Sequence, residues 1–376
     1  MSATLLLARR NLARNRVRLL ASVGGVALAL SLTLALDAIY AGVANQLTTY
    51  IDRAGADVWV AQGGVRNLHM VASTLPESVV DQVKAVDGVA TVTPILEATD
   101  TVAAGDERAV AYVIGLPADA SMGGPWEVVE GRGQVGPGEI VVDLAFARKA
   151  GVRIGDSVGV LGGEARIVGL SRGTASLVNS VAFVSIDDFR AMRGGAPVVS
   201  FVLVRVAPGA SPEAVAADIE RLVAGVTAQS RSTFVAQERR IVTDMSADVI
   251  SIMSVIGFVV ALAVVALTVH VATLARRREF GVLKALGARN RVLYRIVLVQ
   301  AVLSVAVGYA IGLAFTGLLG FAVGRTDLNL ELAVTADSLA KVGLFAAAIA
   351  GFAAILPIRQ VAGVDPAVVF RRGAPA

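Results

Sequence analysis

The sequence predicts an α-helical membrane protein with four transmembrane helices and a large α+β extracytoplasmic domain inserted between helices 1 and 2. Three observations carry that expectation. The chain is 55% hydrophobic and only 17% charged, with a mean hydropathy of +0.70, whereas soluble proteins carry about 25% charged residues. It contains four apolar stretches of the length that crosses a hydrocarbon core, roughly 20 residues. Between the first and second of them, residues 43–245 are of ordinary soluble composition and rich in turn signals.

Residues 1–18 set Leu5, Leu6, Leu7 and Leu12 among Arg9, Arg10 and Arg14. That pattern suits a cytoplasmic amphipathic helix lying in the headgroups, a plain basic flank being the other reading. The first span covers 19–42. Its apolar core from Leu19 to Leu36 outruns the 7–15 residues, roughly, of a signal-peptide core, and no A-x-A site closes it, so the helix is retained. Within 43–245, Val-rich runs bounded by Gly, Pro or Asp predict strands at 56–62, 89–96, 109–116, 139–143, 157–171, 180–186 and 199–206. Apolar residues at helical spacing predict helices at 75–86 (Val79, Val80, Val83, Val86) and 211–225 (Val215, Ile219, Leu222). The flanks of this domain, 42–55 and 232–251, are polar but able to continue the helices as a pair of stalks.

The second span occupies 246–275, with its apolar run from 249, and the third 296–323. A connection over 276–295 joins them, and an outer loop over 324–341 leads to the fourth span, 342–358, whose 17 residues sit at the short end of the range. A tail, 359–376, follows. Arginines fix the orientation. Arg9, Arg10, Arg14, Arg16 and Arg18 precede span one; Arg276, Arg277, Arg278, Arg289, Arg291 and Arg295 lie between spans two and three; Arg359, Arg371 and Arg372 follow span four. The positive-inside rule puts these groups, and so both termini, in the cytoplasm. The outer loop instead carries Asp327, Glu331 and Asp337. A multi-pass protein of the cytoplasmic (inner) membrane follows.

Several chemistries are excluded by residue type. The sequence has no cysteine, which removes disulfides and thiolate sites. Its four lysines, Lys84, Lys149, Lys284 and Lys341, follow Val, Arg, Leu and Ala, so no G-x-x-x-x-G-K-[ST] phosphate loop exists. Two histidines, His69 and His270, cannot make a zinc site of ordinary ligand count without help from carboxylates. His69 beside Met70 evokes haem ligands, but adjacent residues point apart, and surface placement is the simpler reading. His270 reads as a packed or interfacial polar residue. No nucleophile and base sit at matching depths in the spans. The chain is therefore not expected to be an enzyme, nor, with arginines placed by topology and few aromatics, to bind nucleic acid.

The connection "RRREFGVLKALGAR" (276–289) is the sharpest motif. On a helix, Phe280, Leu283 and Gly287 form an apolar ridge, while Gly281, Ala285 and Ala288 form a smooth groove at i, i+4, i+7. Two such surfaces want two partners, which argues for a cytoplasmic partner protein, a re-entrant hairpin turn buried in the bundle being the other reading. In span three, Gly308 and Gly312 form a GxxxG, which lets backbones approach either within the chain or across a dimer seam.

"RRREFGVLKALGARNRVLYRIVLVQAVL" (276–303) resembles the signature of FtsX-like, MacB-type ABC transporter permeases. "ARRNLARNRVRLLASVGGVALAL" (8–30) and "AILPIRQVAGVDPAVVFRRG" (354–373) are similar to the family's N-terminal and C-terminal segments, and "VKAVDGVATVTPIL" (83–96) and "AGVRIGDSVGVLGGEARIVGLS" (150–171) to phrases of its outer domain. "ADVWVAQGGVRNLHMVASTLPESV" (56–79) looks like the DevC-like and haem-exporter permeases. The resemblance implies a permease homodimer or heterodimer bound to a separate ABC ATPase, which holds ATP and magnesium; this chain itself needs no cofactor. Glu279, Phe280, Gly281, Leu283, Lys284, Ala285, Leu286, Gly287 and Ala288 match the family's coupling helix. A mechanotransmission exporter follows, extruding an amphiphile such as a lipid, haem, peptide or drug, in contact with membrane lipid and with a membrane-fusion adaptor as a further partner. The alternative is a transmembrane regulator that activates an extracytoplasmic enzyme such as a cell-wall hydrolase.

Overall fold

The computed structural model describes residues 16–174, 180–275, 277–325 and 332–362. Most of the amphipathic helix expected over 1–18, Arg276, the middle of the outer loop and most of the tail over 359–376 lie outside the described residues. The elements are α1 (Arg16–Arg53), β1 (Val58–Gln62), β2 (Leu75–Pro76), α2 (Ser78–Lys84), β3 (Val89–Ala104), β4 (Glu107–Leu116), β5 (Val128–Gly131), β6 (Glu139–Asp143), α3 (Leu144–Ala150), β7 (Ser157–Val160), β8 (Gly163–Ser171), β9 (Ser180–Ser185), α4 (Ile186–Met192), β10 (Val198–Val199), β11 (Phe201–Val206), α5 (Pro212–Leu222), β12 (Val226–Ser230), α6 (Arg231–Leu274), α7 (Arg277–Ala285), α8 (Asn290–Val323) and α9 (Ala336–Ala362). They divide into two compact units, an α+β unit over Gly42–Met245 and a unit of helices from the rest.

In the α+β unit, β12, β1, β11 and the first half of β3 make an antiparallel sheet. Alternation sends Val58, Val60, Val202 and Val204 to one face, where α2 and α5 cover them with Val79, Val83, Val215 and Ile219. Trp59, Phe201 and Leu203 take the other face, against Tyr50 and Ile51 of α1 and Phe234 of α6. Trp59 stacks on Phe234 with ring centroids 5.2 Å apart. The expected stalk segments are thus helical at 42–53 and from 231 onward, and their ends supply Tyr50, Ile51 and Phe234 to this core.

The second half of β3 pairs with β4, and the chain of neighbours β3, β4, β9, β6, β8, β7 returns to β3 through Ala103 opposite Gly159. A closed barrel results, which removes free edges, and Val113, Ile140, Val158, Ile167 and Val184 fill it. Two tight turns set its register. Gly105 (φ +60°) takes the first position of the β3–β4 turn, the place a II′ hairpin reserves for glycine. Leu161 (φ +53°) and Gly162 (φ +82°) make the β7–β8 turn with both residues left-handed. The expected single strand 157–171 therefore folds back on itself. The cost of a left-handed leucine is offset by burying its side chain in the barrel core.

The expected helix 75–86 is shorter than the pattern. Leu75 and Pro76 pair with β10 before α2 starts. Short helices that the apolar pattern does not announce are built by caps: Asp143 accepts the Ala145 N–H at α3, with left-handed Gly151 ending that helix, and Ser185 accepts the Asp187 N–H at α4.

In the helical unit, Val26, Leu30 and Leu34 of α1, Ala261 and Val265 of α6, Ile296 and Val297 of α8, and Ala346 and Ile349 of α9 form one core. Small residues set its spacing: a Cβ on Gly25 would come within 2.4 Å of Val264 Cγ1, and one on Gly257 within 2.6 Å of Thr33 Oγ1. Three helices are long and apolar enough to cross a membrane among the described residues: Val23–Arg53, Asn290–Val323 and Ala336–Arg359. The last begins earlier than the expected 342, because Thr335 Oγ1 accepts the Ser338 N–H and caps it. The expected second span lies in α6, where Val255–Val271 is a shorter apolar helical run.

Candidate coupling segment

α7 is short, and its ending is built into the backbone. The Gly287 N–H donates to the Lys284 carbonyl at 3.0 Å and the Ala288 N–H to the Leu283 carbonyl at 2.9 Å. That pair of bonds is a Schellman cap, which needs a left-handed residue, and Gly287 supplies φ +89°. A second helix, α8, starts at Asn290.

The cap corrects the ridge and groove expected from spacing. The helix stops at Ala285, so neither Gly287 nor Ala288 continues a helical stripe. Phe280 is buried in the core with Leu293 and Ile296, and Leu283 packs against the same cluster. Gly281 is also buried. The free surface of α7 is instead Glu279, Val282, Ala285 and Leu286, with Leu286 80% exposed and Val282 42%. Glu279, Val282 and Leu286 stand at i, i+3, i+7 on one face. Lys284 is half-buried. Val282 is the residue that spacing alone misses. Gly287, followed by Ala288 and Arg289, is a readable stop signal.

The GxxxG pair lies against α1. A Cβ on Gly308 would stand 2.6 Å from Val26 Cγ1 and 3.2 Å from the Ala27 nitrogen, and one on Gly312 3.2 Å from the Ser31 nitrogen. Thr316, one turn on, donates to the Ser31 carbonyl at 3.4 Å. Of the two partners open to this motif, the structure shows the one inside the chain.

His69 is not a surface residue. Its side chain is 11% exposed, and Nδ1 lies 2.5 Å from Glu238 Oε1 of α6, itself 2% exposed. Among the described residues no group of three or more His, Cys, Asp or Glu is arranged to hold a metal ion. An open cleft of about 400 Å³ elsewhere in the α+β unit is lined by Arg53, Met122, Trp126 and Gln134 together with glycine backbone.

Residues 19–222 match the family model of the MacB-like periplasmic core domain, and residues 251–366 that of the FtsX-like permease C-terminal region. The chain belongs to the MacB/FtsX-like family of ABC transporter permeases. It is a multi-pass membrane protein with an α+β domain between its N-terminal helix and its C-terminal helices. An ABC transporter permease of Mycobacterium bovis is 23% identical to it over 367 residues, 96% of this chain and 98% of the relative. A second, from Mycobacterium tuberculosis, is 24% identical over 365 residues, again 96% and 98%. Among solved structures, the periplasmic region of MacB from Actinobacillus actinomycetemcomitans aligns with 50% of this permease and 94% of that chain, at 13% identity and TM-score 0.39. The extracellular domain of the noncanonic ABC-type transporter YknZ from Gram-positive bacteria aligns with 46% of the permease and 100% of that chain, at 15% identity and TM-score 0.38.

Proposed function

We propose that this permease is the membrane subunit of an export complex in which a separate ATPase hydrolyses ATP and the permease turns that cycle into motion of its outer domain, displacing an amphiphile. The observation that carries the reading is the free face of α7. Leu286 and Val282 present apolar side chains to water on a helix whose end is fixed by the Gly287 cap and whose other side is locked into the core by Phe280. A rigid, short helix with an uncovered apolar face is built to seat in another protein. In this reading α6 supplies the fourth crossing, both termini and α7 are cytoplasmic, and the permease works as a dimer. The cleft that sets Arg53 beside Trp126 and Met122 suits a charged head joined to an apolar body, which supports an amphiphile over an ion or sugar.

Leu286→Asp places a charge in the proposed seat without touching the core. The expected result is loss of co-purification with the partner ATPase, with unchanged membrane insertion. Undiminished co-purification would falsify the reading. Gly281→Trp is the poorer test, since that position is buried in the permease itself.

A further inference from the structure

The cleft beside the end of α1 has a volume of about 400 Å³, and Arg53, Ser121, Met122, Trp126 and Gln134 line it along glycine backbone. Sites for small organic ligands run from roughly 300 to 1,000 Å³. Its floor is fixed by two bonds to α1 and the residue after it. The Gly123 N–H donates to the Ala54 carbonyl at 2.8 Å, and the Tyr50 hydroxyl donates to the Gly123 carbonyl at 3.0 Å. Gly123 is left-handed, at φ +84°, and a Cβ there would stand 2.9 Å from Leu203 Cδ1, a position that suits glycine. A floor held in place beforehand costs little to order when a ligand arrives.

The lining sets the sign of the ligand. No Asp or Glu is among the lining residues, and Arg53, exposed at the end of α1, makes no ion pair among the described residues. A second guanidinium stands behind the wall, where Arg205 Nη2 donates to the Gly55 carbonyl at 3.2 Å. Glu127, next to Trp126, is already paired with Arg172 at 3.0 Å, while Asp52 and Asp119, each beside a lining residue in sequence, stay outside the lining. The carbonyls of Ala54, Gly55, Gly123 and Gln134 each accept a hydrogen bond from the protein itself. The side-chain donors that remain are the Arg53 guanidinium, the Ser121 hydroxyl and the Gln134 amide. A guanidinium is planar and always charged, and it binds carboxylate or phosphate in two-point fashion.

The other wall is apolar. Met122 is 3% exposed within the core behind the cleft, and Trp126 is half-buried against the same core. A dry aromatic wall with one charged lip matches a molecule that has an apolar body and a single anionic end.

We propose that this cleft binds an amphiphile with an anionic head, its phosphate or carboxylate on Arg53 and its apolar body against Trp126 and Met122, which makes acidic amphiphiles the class of cargo. The assignment deepens the export reading and rests on it for the role of the ligand.

The cleft holds one of the two tryptophans of the chain, and the other, Trp59, is 1% exposed in the core. Tryptophan fluorescence of the full-length permease in phosphatidylcholine nanodiscs, titrated with octyl phosphate, therefore reads the cleft through Trp126. A saturable change is expected, and Trp126→Phe is expected to abolish it. Arg53→Gln, at an exposed position, is expected to raise the half-saturating concentration about tenfold, with thermal unfolding unchanged. Inorganic phosphate, the head without the tail, is expected to bind at least about a hundredfold more weakly. Octyltrimethylammonium, the same tail with the opposite charge, is expected to give no saturable change. The assignment is overturned by a response that is absent or does not saturate, by one that survives Trp126→Phe or is equal in Arg53→Gln, and by one that the cation matches. Inorganic phosphate that binds as tightly as octyl phosphate overturns it too, since the cleft then reads a free anion. No ATPase or nucleotide enters this titration, so its failure leaves the Leu286→Asp result standing, and a failure of coupling leaves the binding standing.

Discussion

The two units of the permease bury apolar residues by opposite rules. In the α+β unit Trp59, Phe183, Phe201 and Leu203 are essentially fully covered, and the barrel closes on itself so that no long edge is left. In the helical unit large apolar side chains stand uncovered along α1, α6 and α8, among them Leu28, Leu267 and Leu318. Each surface is correct for its own solvent. Water forces the outer domain to hide apolar area, whereas lipid gives no reward for hiding it, and the helices associate through small residues and close backbone approach instead. Volume is therefore the currency of stability in one unit, and smoothness in the other.

The largest expected effect sets the first rule against the second. Trp59→Ala removes a side chain stacked on Phe234 and is expected to cost about 3–5 kcal/mol of outer-domain stability. Leu267→Ala, at an exposed position of α6, is expected to change it by less than about 0.5 kcal/mol. Chemical denaturation of the purified permease, followed by Trp fluorescence for the parent and Leu267→Ala and by proteolysis for all three, separates them. Equal losses would erase the distinction.

A middling effect tests smoothness. Gly308→Val adds bulk where a Cβ already stands 2.6 Å from Val26, and overpacking of that kind costs about 1–3 kcal/mol. Gly317→Val on the same helix meets nothing within 4 Å and is expected to leave thermal aggregation in detergent unchanged. A shared shift in both variants would mean that helix propensity, not contact with α1, sets the result. The smallest effect concerns the cap. Gly287→Ala meets no neighbour, so its expected cost of about 1 kcal/mol is purely the left-handed backbone. Weaker ATPase association with intact membrane insertion is the outcome to look for.

The sequence announced strands wherever valines alternate, and β1, β4, β6, β9 and β11 stand there. It hid β12, because Val226–Ser230 is polar in alternate positions yet wholly buried. Thr227 is admitted to the interior by accepting the Gly64 N–H from a residue 163 positions away, a partnership no local pattern records. β5 is hidden because it is only four residues, Val128 and Val129 followed by Glu130 and Gly131, too short to show an alternation. The connection between two apolar runs is legible as a helix, but its exposed face depends on where Phe280 packs, and that is decided by Leu293 and Ile296 of another helix. His69 was illegible as a buried group because its partner Glu238 lies 169 residues away.

β3 has one further consequence. Its first half, to Ile95, is a member of the open sheet, and its second, from Leu96, is a stave of the barrel. Ile95 and Leu96 are both buried, and the Ser200 hydroxyl accepts the Glu97 N–H just past the junction. No slack residue separates the two halves. The sheet and the barrel are therefore joined along one unbroken strand with hydrogen bonds on both flanks, and by the return of the chain from β9 to β11, a continuity that two beads on a flexible string would lack.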